Sequence, residues 1–203
     1  MAEATAARVS APAPYRLSGL VGGLMADQAA IAAPLYLRLH DWPATRAALD
    51  QDNLLHARTQ ASAVRTAREL VQRMETLTDE EVEHLASAPS PDRKMLMWAA
   101  FCRRYALVAE FAEEVLRDKY LIGVATVMAE DFERFWAGKA LWHDELEAIK
   151  DSTRAKLRTN LFLAMRQAGM LTEEGLIVPP LLSPDVARFT QGEVRFFPVG
   201  GTR

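Results

Sequence analysis

The side chains best equipped for chemistry in this sequence are basic and hydroxylic. Arg58, Ser62, Arg65, Glu69 and Arg73 follow one another at steps of three and four, with Thr59 beside the first. On a helix such steps stack side chains along one face. Ser152, Thr153, Arg154, Lys156, Arg158, Thr159 and Arg166 form a second group. Charged donors bind phosphate oxygens strongly, and serine and threonine hydroxyls are frequent partners of the same oxygens. Both groups therefore point to contacts with a phosphate backbone. Plainer readings stand beside this one: a solvated charged stripe for the first group, a helix and hairpin closing a core for the second. Side chains suited to base edges are few, with Asn160 and Gln167 the main candidates.

Other chemistries lack their residues. His40, His56, His84 and His143 do not pair at metal-binding spacing, and "WHDELE" has neither an HExxH pattern nor an indicated third ligand. "GLVGG" lacks the Lys-Ser/Thr of a phosphate-binding loop, and no G-x-S-x-G elbow occurs. Cys102 lies beside Arg103 and Arg104, which could acidify its thiol, but its apolar stretch favours an inert buried cysteine. We assign no catalytic residue, no metal ligand and no cofactor, and expect a protein that is not an enzyme.

The elements that must position the basic groups are helical. Apolar residues at helical spacing predict helices over about 24–39 (kinked at Pro34), 53–77, 93–104, 107–120 and 130–141, with a short one starting at Pro43. Thr78 and Glu81 form a capping-box pattern. In the helix after Lys150, Ser152 or Thr153 is the expected cap. Leu157, Leu161, Ala164, Met165 and Ala168 share one arc, Lys156, Thr159 and Arg166 lie opposite, and Gly169 is the stop. "MLTEEGLIV" then reads as a hairpin around Gly175. Helix, stop and hairpin follow the order of a winged helix, although Glu173 and Glu174 at the wing tip would repel phosphate. The expected fold is mostly α: a helical bundle with helix-turn-helix or winged-helix character and a small C-terminal β-hairpin. Its expected parts are an arm over 1–14, helical parts over 15–88 and 89–190 divided at "SAPSPD", and a tail over 191–203. The aromatics from Trp98 to Trp136 fall at helical spacings and read as core.

Bulk properties limit the function. The 203-residue chain has a net charge of −3, so nucleic-acid binding requires a local basic face. One cysteine excludes an intramolecular disulfide framework and fits a reducing cytoplasm. Asp27 and Gln28 interrupt the most apolar stretch, leaving nothing near the roughly 20 residues of a membrane span. A soluble cytoplasmic protein is expected.

Several phrases, in order, resemble the BrxA family of BREX phage-defence systems. They are "LHDWPATRAALDQDNLLHARTQASAVRTARELVQRMETLTDEE", "WHDELEAIKDSTRAKLR", "QAGMLTEEGLI" and "PPLLSP". The resemblance runs from about Tyr15 to Phe189. It implies a small, mostly helical, non-enzymatic DNA-binding component with helix-turn-helix character. Its implied companions are the methyltransferase, ATPase and phosphatase-like proteins of the defence system. The leading expectation is a double-stranded DNA binder that contacts mainly phosphates. The alternatives are a helical adaptor between proteins of the same system and an RNA-binding helical bundle.

Overall fold

A helix that is apolar on every side must be covered on every side. The run from Met95 to Cys102 is such a helix. In the computed structural model, which describes residues 13–18, 20 and 22–200, it forms the middle of α5 (Ser90–Arg104), and every residue of the run is buried. The expected arm up to residue 12 and the last three residues of the expected tail lie outside the described residues.

Packed against α5 are α1 (Ala26–Leu39), α3 (Gln60–Met74), α4 (Asp79–Ser87), α6 (Ala106–Phe111), α10 (Asp151–Gln167) and α11 (Pro184–Phe189). α2 (Trp42–Gln51) lies against α1 and α3, and α8 (Ala129–Ala140) against α9 (Asp144–Glu147). Ala29, Ala32 and Ala33 are fully buried on α1, whose small side chains allow close approach to α4 and α5. A single hydrophobic cluster joins residues from Tyr15 to Phe197. Trp98 Nε1 donates to Phe196 O at 2.7 Å, fixing the C-terminal segment to the centre.

Local signals set most boundaries. Asp41 caps α2 by accepting from Ala44 N at 2.6 Å, and Pro43 is its second residue, one position later than expected. The predicted box is formed: Glu81 N donates to Thr78 Oγ1 at 3.2 Å and Thr78 N to Glu81 Oε2 at 2.8 Å. The predicted 107–120 helix is interrupted. A π-helical stretch, Ala112–Arg117, widens it between α6 and α7 (Asp118–Leu121) and buries Ala112 and Leu116.

Three expectations fail. The helix predicted from Asn53 starts only at Gln60. Asn53 and His56 adopt left-handed conformations (φ 43° and 51°), and the Asn53 side chain brackets a turn by bonding both Ala57 N and Ala57 O. Asparagine tolerates this region and competes for local backbone groups, so the apolar periodicity was outweighed. On α10, Lys150 occupies the cap position without a side-chain cap bond, and Ser152 and Thr153 lie within the first turn. Gly169 does stop that helix, with φ 76°.

The third correction concerns the wing. Residues 171–178 form no strands; they make isolated antiparallel bridges, Leu171 with Ile177 and Thr126 with Leu176. The amides explain it. Thr172 N donates to Leu176 O, but Ile177 N donates to Ala125 O, so bonding is divided between the segment itself and a neighbouring loop. Pro179 and Pro180, lacking amide hydrogens, end any ladder. The fold is all-α, without the hairpin that a winged helix requires.

Candidate nucleic-acid interface

The first basic group divides in two. Thr59 caps α3: Ser62 N donates to Thr59 Oγ1 at 3.1 Å and Thr59 N to Ser62 Oγ at 3.2 Å. Arg58 is exposed just before that cap and Arg65 is exposed on the helix. Arg73, expected on the same outward face, is fully buried, and so is Glu69. Arg73 Nε donates to Glu69 Oε1 at 2.7 Å, and its guanidinium sits 4.1 Å from the centre of the Phe101 ring. Tyr105 OH donates to both oxygens of Glu69, at 2.7 and 2.8 Å. Burial pushes the Glu69 carboxyl up, with Arg73 and Tyr105 pulling against it. Burial likewise lowers Arg73, opposed by the Glu69 carboxylate.

The true buried face of α3 is Ala63, Ala67, Leu70, Val71 and Met74. Ala61 and Val64, apolar residues at helical spacing within the expected 53–77 helix, are both exposed. The corrected outward face presents Arg68, which the sequence reading missed. The spacing of Ala63, Ala67, Leu70, Val71 and Met74 marks the buried face, and the cap at Thr59 marks only where the helix begins.

On α10 the apolar arc is buried as expected: Leu157, Leu161, Ala164, Met165 and Ala168. Ser152, Thr153, Lys156 and Thr159 are exposed. Most of the arginines there are already engaged. Arg154 pairs with Glu133 at 3.2 Å and Asp151 at 3.0 Å, Arg158 with Glu133 at 2.6 Å, and Arg166 with Glu173 at 3.2 Å. Thr159 Oγ1 donates back to Ala155 O at 2.9 Å. The two amides nominated for base edges serve the fold. Asn160 Nδ2 donates to Leu20 O at 2.7 Å, and Gln167 Oε1 accepts from Leu24 N at 2.7 Å.

These bonds belong to a strap whose described residues are 15–18, 20 and 22–25. Tyr15 stacks on His143 with ring centres 4.1 Å apart, and its backbone N donates to Glu145 Oε1 at 2.7 Å. Gly23 O accepts from Arg73 Nη1, and a Cβ at Gly23 would lie 2.3 Å from Gln167 Oε1. The strap separates the two basic helices. Ser18 lines one cavity with Arg68 and Arg104, and another with Thr153, Lys156 and Thr159. Arg58, Arg65, Arg68 and Lys156 are thus exposed cations with no carboxylate partner among the described residues. Among the described residues no cluster of His, Cys, Asp and Glu could hold a metal ion. Burial pushes the Cys102 thiol well up, the opposite of activation.

The BrxA family model matches residues 13–193. A protein from Escherichia coli O9:H4 (strain HS), named BREX protein BrxA, is 25% identical over 154 residues, which span 75% of this chain and 72% of that protein. The crystal structure of an uncharacterized protein from Magnetospirillum magneticum superposes with a TM-score of 0.77 at 18% identity, over 89% of this chain and 93% of the other. The last similarity extends the fold, and only the fold, to a distant sequence.

Proposed function

The chain belongs to the BrxA family, and on that premise we propose that it is a non-enzymatic component of a BREX phage-defence system that binds double-stranded DNA. Its contacts are mainly to phosphates. One observation supports this reading: Arg58, Arg65 and Arg68 on one side of the strap, and Lys156 on the other, are exposed and unpaired among the described residues. In a chain of net charge −3, such unneutralised cations supply the local positive field that DNA requires. Ser152, Thr153 and the α3 cap supply neutral donors beside them. Asn160 and Gln167 are occupied by backbone groups, so recognition is tolerant of sequence. The proposed setting is the cytoplasm, with the methyltransferase, ATPase and phosphatase-like proteins of the system as partners. No described helix is long and apolar enough to cross a membrane.

Phosphate contacts release counterions, so affinity for duplex DNA falls steeply with salt. A salt titration with duplex, single-stranded and RNA competitors tests the proposal. Preference for structured RNA would replace it with the RNA-bundle reading, and affinity independent of salt would end it.

The adaptor reading has its own support. Ile122, Leu141, Trp142 and Leu181 are exposed by 75%, 77%, 74% and 95%, and large apolar side chains left in water suit a protein partner. If that reading holds, Trp142→Ser abolishes binding to another BREX protein, while charge reversal at Arg65 and Arg68 changes nothing.

A further inference from the structure

The outer side of α3, the last turn of α5 and the start of the strap enclose a recess of ≈ 470 Å³. Arg16, Ser18, Arg68, Glu69, Gln72 and Arg104 line it. Three arginines therefore line one concavity, and arginine does not relieve crowding by losing its proton. None of the three has a carboxylate within ion-pair distance among the described residues. The one acid present, Glu69, is already held by Arg73 and by the Tyr105 hydroxyl. Arg104 is half-buried, and its Nε, like those of Arg93 and Arg117, has no hydrogen-bond partner among the described residues.

Three arginines around one concavity raise the local positive potential at its opening. Phosphate oxygens match the guanidinium fork, and the Ser18 hydroxyl and Gln72 amide add neutral donors. The volume falls within the range of about 300–1,000 Å³ usual for small-ligand sites. A concave site favours a phosphate that projects freely over one held within a convex duplex backbone. We propose that this recess binds a terminal phosphate, carried by a nucleotide or by a nucleic-acid 5′ end, with Arg16, Arg68 and Arg104 as its charge partners. The recess shares Arg68 with the exposed row proposed to meet duplex DNA, whereas Arg16 and Arg104 belong to the recess alone.

Calorimetric titrations of the full chain at fixed ionic strength test this. The probes are inorganic phosphate, deoxyadenosine 5′-monophosphate, and one short oligonucleotide with either a 5′-phosphate or a 5′-hydroxyl. At least one phosphate-bearing probe should bind saturably. Arg16→Ser and Arg104→Gln should each weaken it about tenfold, the effect of losing one charge-assisted hydrogen bond. Mononucleotide binding without preference between the two oligonucleotides assigns a free nucleotide; preference for the phosphorylated strand assigns a nucleic-acid end. No saturable binding by any probe overturns the proposal, as does binding unchanged in both variants. Arg16 is exposed, so Arg16→Ser decides the matter should Arg104→Gln misfold. Duplex binding is measured on the same protein with 5′-hydroxyl ends. Loss of the recess with duplex affinity intact removes this inference alone, and loss of duplex affinity with the recess intact removes only the DNA reading.

Discussion

α3 and α10 carry similar basic composition and use it in opposite ways. α10 turns Arg154, Arg158 and Arg166 toward Glu133, Asp151 and Glu173, leaving Lys156 exposed without a carboxylate partner among the described residues. α3 buries Arg73 in an ion pair but leaves Arg65 and Arg68 exposed, without a carboxylate partner among the described residues. Counting charges along a helix therefore misjudges its field. What matters is which cations lack a carboxylate, and tertiary structure places the carboxylates.

The comparison breaks most severely at Arg73. Arg73→Met leaves Glu69 buried beside Tyr105 without its cation, and losing one partner of a buried pair costs about 3–5 kcal/mol. We expect chemical denaturation to show a loss of that order. A loss under 1 kcal/mol would mean that Arg73 is not the structural member of the α3 row.

Next in size is the double charge reversal Arg65→Glu with Arg68→Glu. Removing one phosphate contact lowers the salt-dependence slope by about one. Two reversals should therefore lower it by about two and weaken duplex binding well over tenfold, with an unchanged melting temperature. If Arg154→Gln with Arg158→Gln has the larger effect on binding, the two helices have been assigned the wrong way round.

Acid stability sharpens the picture of carboxylates as internal partners. Burial alone would raise Asp131, but Lys119 Nζ at 2.6 Å, the Met128 amide at 2.7 Å and Arg134 together hold it below its ordinary value. A depressed folded-state pKa contributes stability above the unfolded value, and that contribution is lost as pH falls through the folded one. Asp131→Asn should therefore destabilise the protein at neutral pH and flatten the fall in stability below about pH 4. Parallel acid limbs for parent and variant would refute the assignment.

The smallest effect is expected at Arg158→Gln. Its pair with Glu133 is a third exposed on both sides, and such surface pairs contribute about 0.2–1 kcal/mol. Thermal melting should register a shift of that size, with duplex affinity within about twofold of the parent if the pair already neutralises this arginine.

Much of the fold is legible in the sequence because its signals are local. The capping box at Thr78 needs only residues three apart, the α10 arc needs only helical spacing, and Gly169 needs only its missing Cβ. The apolar run of α5 announces a central helix because no amphipathic arrangement could accommodate it. The errors arise where a local pattern competed with something distant. The segment 171–178 reads as a hairpin by itself, but it bonds partly to the loop at Ala125 and Val127. The site was less legible than the fold. Thr59 and Ser62 were read only as phosphate partners, whereas they cap α3, and the packing of Ala63, Ala67, Leu70, Val71 and Met74 turns Arg73 in and Arg68 out. Arg16 and Arg104 are far apart in sequence and belong to no motif, and they meet only because the strap crosses between helices. By itself, the sequence determined that the fold is helical, where most of its helices lie and which face of α10 is apolar, since propensity, capping and periodicity act within a few residues. Only the tertiary structure decided which arginines remain free, because an ion pair depends on distance in space, and Glu133 reaches Arg158 from another helix.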